Sequence, residues 1–179
     1  GEAISTCFRK YVTFSGRARR PEYWWFAAFA VLGALVADVI DRLLFGGVRM
    51  DGSRAAYVQP LFTLIVFLPL LAAGWRRMHD TGRPGWHLLL PLLVTIAIYG
   101  LLVLGVLGFA GLEEAGADED ALRSAASGFG VVGLAAAGIA QLGLTILVIW
   151  WLTRPSDPGT NAWGAPPEDW QAVRSDQAR

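Results

Sequence analysis

Four apolar stretches separated by short polar segments organise this chain: residues 24–45, 60–75, 86–111 and 129–152. A helix needs about 20 residues to cross about 30 Å of hydrocarbon, and three of the four stretches reach that length. The second is short, so it is expected to thin the bilayer, to borrow flanking residues such as Val58, or to be re-entrant. Ahead of the first, Ile4, Cys7, Phe8, Tyr11 and Val12 recur at helical spacing, with Ser5, Arg9, Lys10 and Thr13 on the other faces. Beside an apolar span, this predicts an amphipathic helix lying in the membrane interface. The competing reading is a helix packed on a partner.

Composition supports a membrane protein. Hydrophobic residues make up 54% of the chain and charged residues 17%, against about 25% charged in an average soluble domain. The formal net charge is zero, which argues against nucleic-acid binding through bulk electrostatics. A single cysteine, Cys7, leaves no internal disulfide and no cysteine-based zinc site. Residues 1–23 have no central apolar run of signal-peptide length, so the first apolar stretch is expected to be a retained anchor.

Charge placement orients the spans. With four spans and an inner N-terminus, the cytoplasmic segments hold Arg9, Lys10, Arg17, Arg19, Arg20, Arg76, Arg77, Arg83, Arg154, Arg174 and Arg179. The outer loops hold Arg49, Arg54 and Arg123, and the second of them is acidic, with Glu113, Glu114, Asp118, Glu119 and Asp120. That is a positive-inside bias. Trp24, Trp25, Trp75, Trp86, Trp150 and Trp151 fall at span ends on the same side, where indole rings favour the headgroup level. The expected architecture is all-α and polytopic. Residues 1–23 form a cytoplasmic interfacial helix and basic motif, 24–153 a four-helix transmembrane domain, and 154–179 a cytoplasmic tail.

Three polar motifs then meet on one side of the membrane: FSGRARRPEYWW from residue 14, RRMHDTGRPGW from residue 76, and DPGTNAWGAPP from residue 157. Together, and in this order, they resemble the small bacterial inner-membrane proteins grouped as domain of unknown function 805, the YhaH-like family. The resemblance runs from Tyr11 to Pro167. The long acidic, Gly- and Ala-rich segment near residues 111–128 departs from the family's pattern. The resemblance implies location and architecture, and it brings no activity with it.

In the second motif Gly82, Pro84 and Gly85 supply turn chemistry for a tight reversal. Arg76 and Arg77 are expected at a helix C-terminus, facing its dipole and anionic headgroups. His79 beside Asp80 admits two readings: a proton-handling histidine oriented by the carboxylate, or an arginine-paired Asp80 with an interfacial His79. The second is preferred, because acid–base work needs a further positioned group. Pro21-Glu22 marks a helix start behind Arg17, Arg19 and Arg20, and Glu22 is placed to pair with an arginine of the second motif. In the third motif Gly159, Asn161 and Gly164 read as a turn, from which Asn161 is expected to stitch the tail to the second motif. The expected interaction site is therefore Arg17, Arg19, Arg20, Glu22, Arg76, Arg77, His79, Asp80, Gly82, Trp86, Asn161 and Gly164.

Within the spans, Asp38 and Arg42 are four apart and pair, while Asp41 is close enough to share the same arginine. Gln141 needs a partner in the bundle or across an oligomer interface. Small residues four apart (Ala30/Ala34, Gly33/Ala37, Gly133/Ala137, Ala136/Ala140) allow close helix approach, and Pro69 and Pro91 are candidate kinks. No phosphate-binding loop, dinucleotide fingerprint or nucleophile elbow is present, and the two histidines flank a turn unsuited to joint metal ligation.

The reading is a bacterial inner-membrane protein with both termini cytoplasmic, non-enzymatic, without catalytic residues, metal or cofactor. Its polar cluster contacts anionic lipid headgroups or a partner protein, with a homo-oligomer as a further form of partner. The alternative is a small transporter or channel component with Asp38, Asp41, Arg42 and Gln141 along its path. A further alternative is an enzyme acting on a membrane phosphate compound through His79 and Asp80.

Overall fold

The computed structural model describes residues 2–46 and 56–166. Arg49, Arg54, Pro167, Arg174 and Arg179 lie outside the described residues. Among those described, every regular element is helical: α1 Glu2–Arg9, α2 Arg20–Phe45, α3 Val58–Asp80, α4 Leu90–Glu114, α5 Glu119–Ala125 and α6 Gly133–Thr153. A 3-10 turn, Gly85–Leu89, leads into α4, and a π-helical segment, Ala126–Val132, leads into α6. The chain forms two compact units, one from the described parts of Gly1–Gly85 and Leu152–Arg179, the other from Trp86–Trp151. These boundaries differ from the edges of the 24–153 block expected from sequence.

In the first unit, α1 packs on α2 and α3. Cys7, Phe26 and Ala73 are wholly buried at its centre, with Ile4, Phe8, Tyr23, Phe29 and Leu70 around them. The Phe8 ring meets Phe26 and Phe29 edge-on at centroid distances of 5.4 and 6.1 Å, a favoured aromatic geometry. The apolar stripe of α1 is thus occupied by protein, which corrects the expectation that it faces lipid. The helix also ends at Arg9, leaving Tyr11 and Val12 beyond it.

The second apolar stretch gains its length by borrowing flanking residues, Val58 among them, as one of the expected alternatives has it. α3 has 23 residues, continuing through Arg76, Arg77 and His79 to Asp80, so neither thinning nor re-entry is required. Pro69 lies inside it. Proline has no N–H to return to the carbonyl four residues back, and the phenol of Tyr11 donates instead to the Ile65 carbonyl at 2.6 Å. Pro91, by contrast, sits in the first turn of α4, where the missing N–H costs nothing, and does not interrupt a helix.

Asp41, expected to share Arg42, has a different role. Its carboxylate accepts the backbone N–H groups of Tyr57, Val58 and Gln59 at 3.0, 2.9 and 2.8 Å, capping α3 from the neighbouring helix. The first N–H groups of a helix have no partner within it, which is why a nearly buried carboxylate is stable here. Asp38 and Arg42 pair at 2.6 Å with both side chains well exposed.

In the second unit α4 buries none of its residues. Gln141 of α6 donates to the Pro91 carbonyl and to Thr95 Oγ1, both at 3.0 Å. The small residues Gly133, Ala136 and Ala140 are exposed rather than packed, whereas Ala30 and Ala37 of α2 are buried. Asp118 caps α5 through the Ala121 N–H at 2.8 Å. Among the described residues, three helical segments, Val58–Asp80, Gly85–Glu114 and Gly133–Thr153, are long and apolar enough to cross a membrane.

Candidate functional site

The C-terminal turn of α3 is the focus of the first unit. Within five residues it carries four buried side chains of unusual polarity for their depth, with Arg76 1%, Arg77 0%, His79 6% and Asp80 0% exposed. A carboxylate at a helix C-terminus is opposed by the macrodipole, and its burial is opposed by desolvation. Two guanidinium groups offset both. Arg17 Nε lies 2.9 Å from Asp80 Oδ1, and Arg77 Nη1 binds Asp80 Oδ2.

Each arginine is then satisfied by carbonyls from the far end of the chain. Arg17 donates to the carbonyls of Gly159 at 2.7 Å and Asp157 at 2.5 Å, with a longer 3.5 Å contact to Gly164. Arg77 donates to the Leu152 carbonyl at 3.1 Å and to that of Arg154. Ser156 donates its hydroxyl to Asp80 Oδ2, and the Asp157 N–H meets the Asp80 carbonyl at 2.8 Å. Planar guanidinium forks suit such multiple capture better than lysine would. Arg76 faces another way, donating Nη1 to Glu22 Oε1 at 2.7 Å.

His79 Nδ1 stands 3.1 Å from the Gly16 carbonyl, so that nitrogen carries the proton. Its ring stacks on Trp163 at 4.7 Å and 10°, while its backbone carbonyl accepts Asn161 Nδ2 at 2.9 Å. The Ala18 N–H donates to the Arg76 carbonyl at 3.1 Å. Gly82, at φ +74°, makes the reversal after α3, a conformation that side chains resist. At Gly85 a Cβ would sit 2.1 Å from Trp75 Cδ1, so only glycine admits the indole.

All three motifs therefore meet through Arg17, Asp80, Arg77, His79, Asn161 and Gly164. One expectation needs correction. Arg76 and Arg77 are enclosed and do not face headgroups, because each finds an acidic partner supplied by another residue of the fold. Asp80 serves arginines and does not orient His79, the preferred of the two readings of that pair. Arg19 and Arg20 flank the clamp: Arg20 Nε donates to the Arg154 carbonyl at 2.8 Å and is exposed. Trp86 belongs to the second unit, where its ring stacks on His87 at 4.3 Å. Ser156, Asp157 and Trp163 are members that sequence reasoning missed. Trp163 alone carried a signal, as the aromatic enclosed between Asn161 and Gly164.

Two titrations follow from burial. Desolvation first, then the Glu22 charge, pushes the Cys7 thiol up to about 11, against the opposing pull of Arg76. Burial first, then the neighbouring Arg154 charge, holds Arg83 below its ordinary range. Cations therefore crowd this end of the first unit.

A family model described as "Protein of unknown function (DUF805)" matches residues 11–165, from the phenol that serves the Ile65 carbonyl orphaned by Pro69 to the end of the Asn161 turn. The chain belongs to this family. Inner membrane protein YhaI of Escherichia coli K12 is 46% identical over 83 residues, 45% of this chain and 64% of the relative. Inner membrane protein YhaH of the same strain is 39% identical over 82 residues, 46% of this chain and 65% of the relative. The chain thus spans slightly less than two-thirds of these relatives. No solved structure matches it. Both relatives carry the name of inner membrane proteins, and the family description assigns no activity.

Proposed function

We propose that the chain is a four-span inner-membrane protein with both termini cytoplasmic, a non-enzymatic component that meets anionic lipid headgroups on its cytoplasmic face. The observation that carries this reading is that Asp80 is completely enclosed and spent on Arg17, Arg77 and Ser156. A carboxylate so engaged cannot take substrate, so the motifs serve as an internal clamp joining three segments. What they turn outward is cationic, with Arg20 exposed beside Trp24 and Trp25.

α2 supports the fourth span. Its 26 residues extend about 39 Å at 1.5 Å per residue, and it presents Val31, Leu32, Leu35, Val36 and Val39 outward. Together with the positive-inside bias, this favours an even number of crossings with both ends on the basic side.

The test is twofold. Single cysteines placed near each terminus of a Cys7→Ala chain are expected to label from the cytoplasmic side only, and labelling of either from outside overturns the topology. The purified chain is expected to unfold at higher temperature in phosphatidylglycerol than in phosphatidylcholine nanodiscs. Equal stability in both would remove the headgroup reading and leave a protein partner.

A further inference from the structure

Beside the clamp, α2 opens with a surface groove of about 410 Å³ lined by Arg20, Pro21, Trp24, Trp25 and Ala28. A smaller hollow of about 200 Å³ adjoins it across Arg20 and Pro21 and is lined also by Arg19, Pro155 and Ser156. The walls combine one guanidinium with two indoles, 39% and 68% exposed at Trp24 and Trp25. Resting on the headgroup reading above, we infer that this groove is a dedicated site for one anionic phospholipid. Arg20 takes the phosphate, the paired indoles hold the glycerol and ester region, and α2 below them guides an acyl chain.

Three observations support the occupant. The first is charge: Arg20 lines both hollows and Arg19 the smaller one, while neither lining holds a carboxylate and Asp80 is enclosed and engaged by Arg17 and Arg77. The second is geometry. The Arg154 carbonyl fixes Nε of Arg20 at 2.8 Å, which restrains a side chain that otherwise loses much rotamer freedom on binding, and so presents the fork that suits phosphate. The third is continuity. Arg20, Trp24, Ala28, Val31 and Leu35 fall at helical spacing on one face, and Val31 and Leu35 are 61% and 59% exposed. From Arg20 to Val31 the helix rises about 16 Å, close to half of the ~30 Å hydrocarbon thickness and so to one leaflet's acyl chain.

Native mass spectrometry of the full chain, titrated with phosphatidylglycerol or phosphatidylcholine, tests this. A one-lipid adduct with several-fold preference for phosphatidylglycerol is expected. It should be lost in Arg20→Gln, partly kept in Arg20→Lys, and weakened for both lipids in Trp24→Ala. Arg9→Ala, an exposed cation of α1, should leave it unchanged. If Arg20→Gln retains the preference and Trp24→Ala binds both lipids as tightly as the unaltered chain, the groove is wrong while the headgroup reading stands. If the unaltered chain shows no preference, both fail. Competition by excess inorganic phosphate as strong as that by the lipid would overturn a lipid occupant in favour of a soluble anion.

Discussion

The Tyr11 hydroxyl lies 2.6 Å from the Ile65 carbonyl, four residues before the proline inside α3. A helix interrupted by proline leaves that carbonyl without its normal donor, and here a residue beyond α1 supplies one. Tyr11→Phe should therefore destabilise the protein by about 1 kcal/mol, the net worth of one hydrogen bond. Thermal unfolding in detergent measures it. Adding Pro69→Ala, which restores the helix's own donor, should shrink that loss.

Asp80→Asn would leave Arg17 and Arg77 enclosed without a counter-charge. Breaking a buried pair on one side costs about 3–5 kcal/mol. The expected result is a large fall in unfolding temperature. Arg17→Ala combined with Asp80→Asn should cost less than the two added, since contacting residues couple. Strict additivity would mean that the clamp does not act as a unit.

Asp41→Ala would uncap α3. Amide exchange at Tyr57, Val58 and Gln59, which the carboxylate now holds, should accelerate selectively. Asp38→Ala, removing an exposed pair, should leave those amides unchanged.

Cys7 offers a pH test. Its folded pKa is raised, from 9.0 to about 11, so the folded state holds the proton more tightly than the unfolded state. The stabilisation is full below about 9 and is lost as pH rises through about 11. Stability measured between those values should fall, and Cys7→Ala should flatten the slope. Maleimide labelling of the folded chain at pH 8 should be slow.

At Gly85 an added methyl would collide with the Trp75 indole. Gly85→Ala is expected to cost about 1–3 kcal/mol as overpacking, read as a lowered unfolding temperature that Trp75→Leu partly restores.

The helical class, the membrane setting and the family were legible because apolar runs and three spaced motifs carry them directly. The end of α3 was not, and the reason is physical. Hydropathy scores Arg76, Arg77 and Asp80 one at a time and assigns them to water, whereas pairing lets them lie inside. Likewise, Asp41 near Arg42 reads as half of an ion pair, because nothing in the sequence announces three backbone N–H groups on another helix. Glu22 and Asn161 could be placed at the right junction from their motifs alone. Their partner atoms, one nitrogen of Arg76 and the carbonyl of His79, required the fold.

The clamp also sets an order of events during synthesis. Arg17 and Arg77 emerge early, yet the carbonyls of Leu152, Arg154, Asp157 and Gly159 that receive them are made some 75 residues after Arg77. Until the ribosome has delivered that stretch, two cations wait at the foot of an otherwise finished hairpin, with Asp80 as their company. A nascent chain cut before Leu152 would hold α2 and α3 but lack the carbonyls that fasten them.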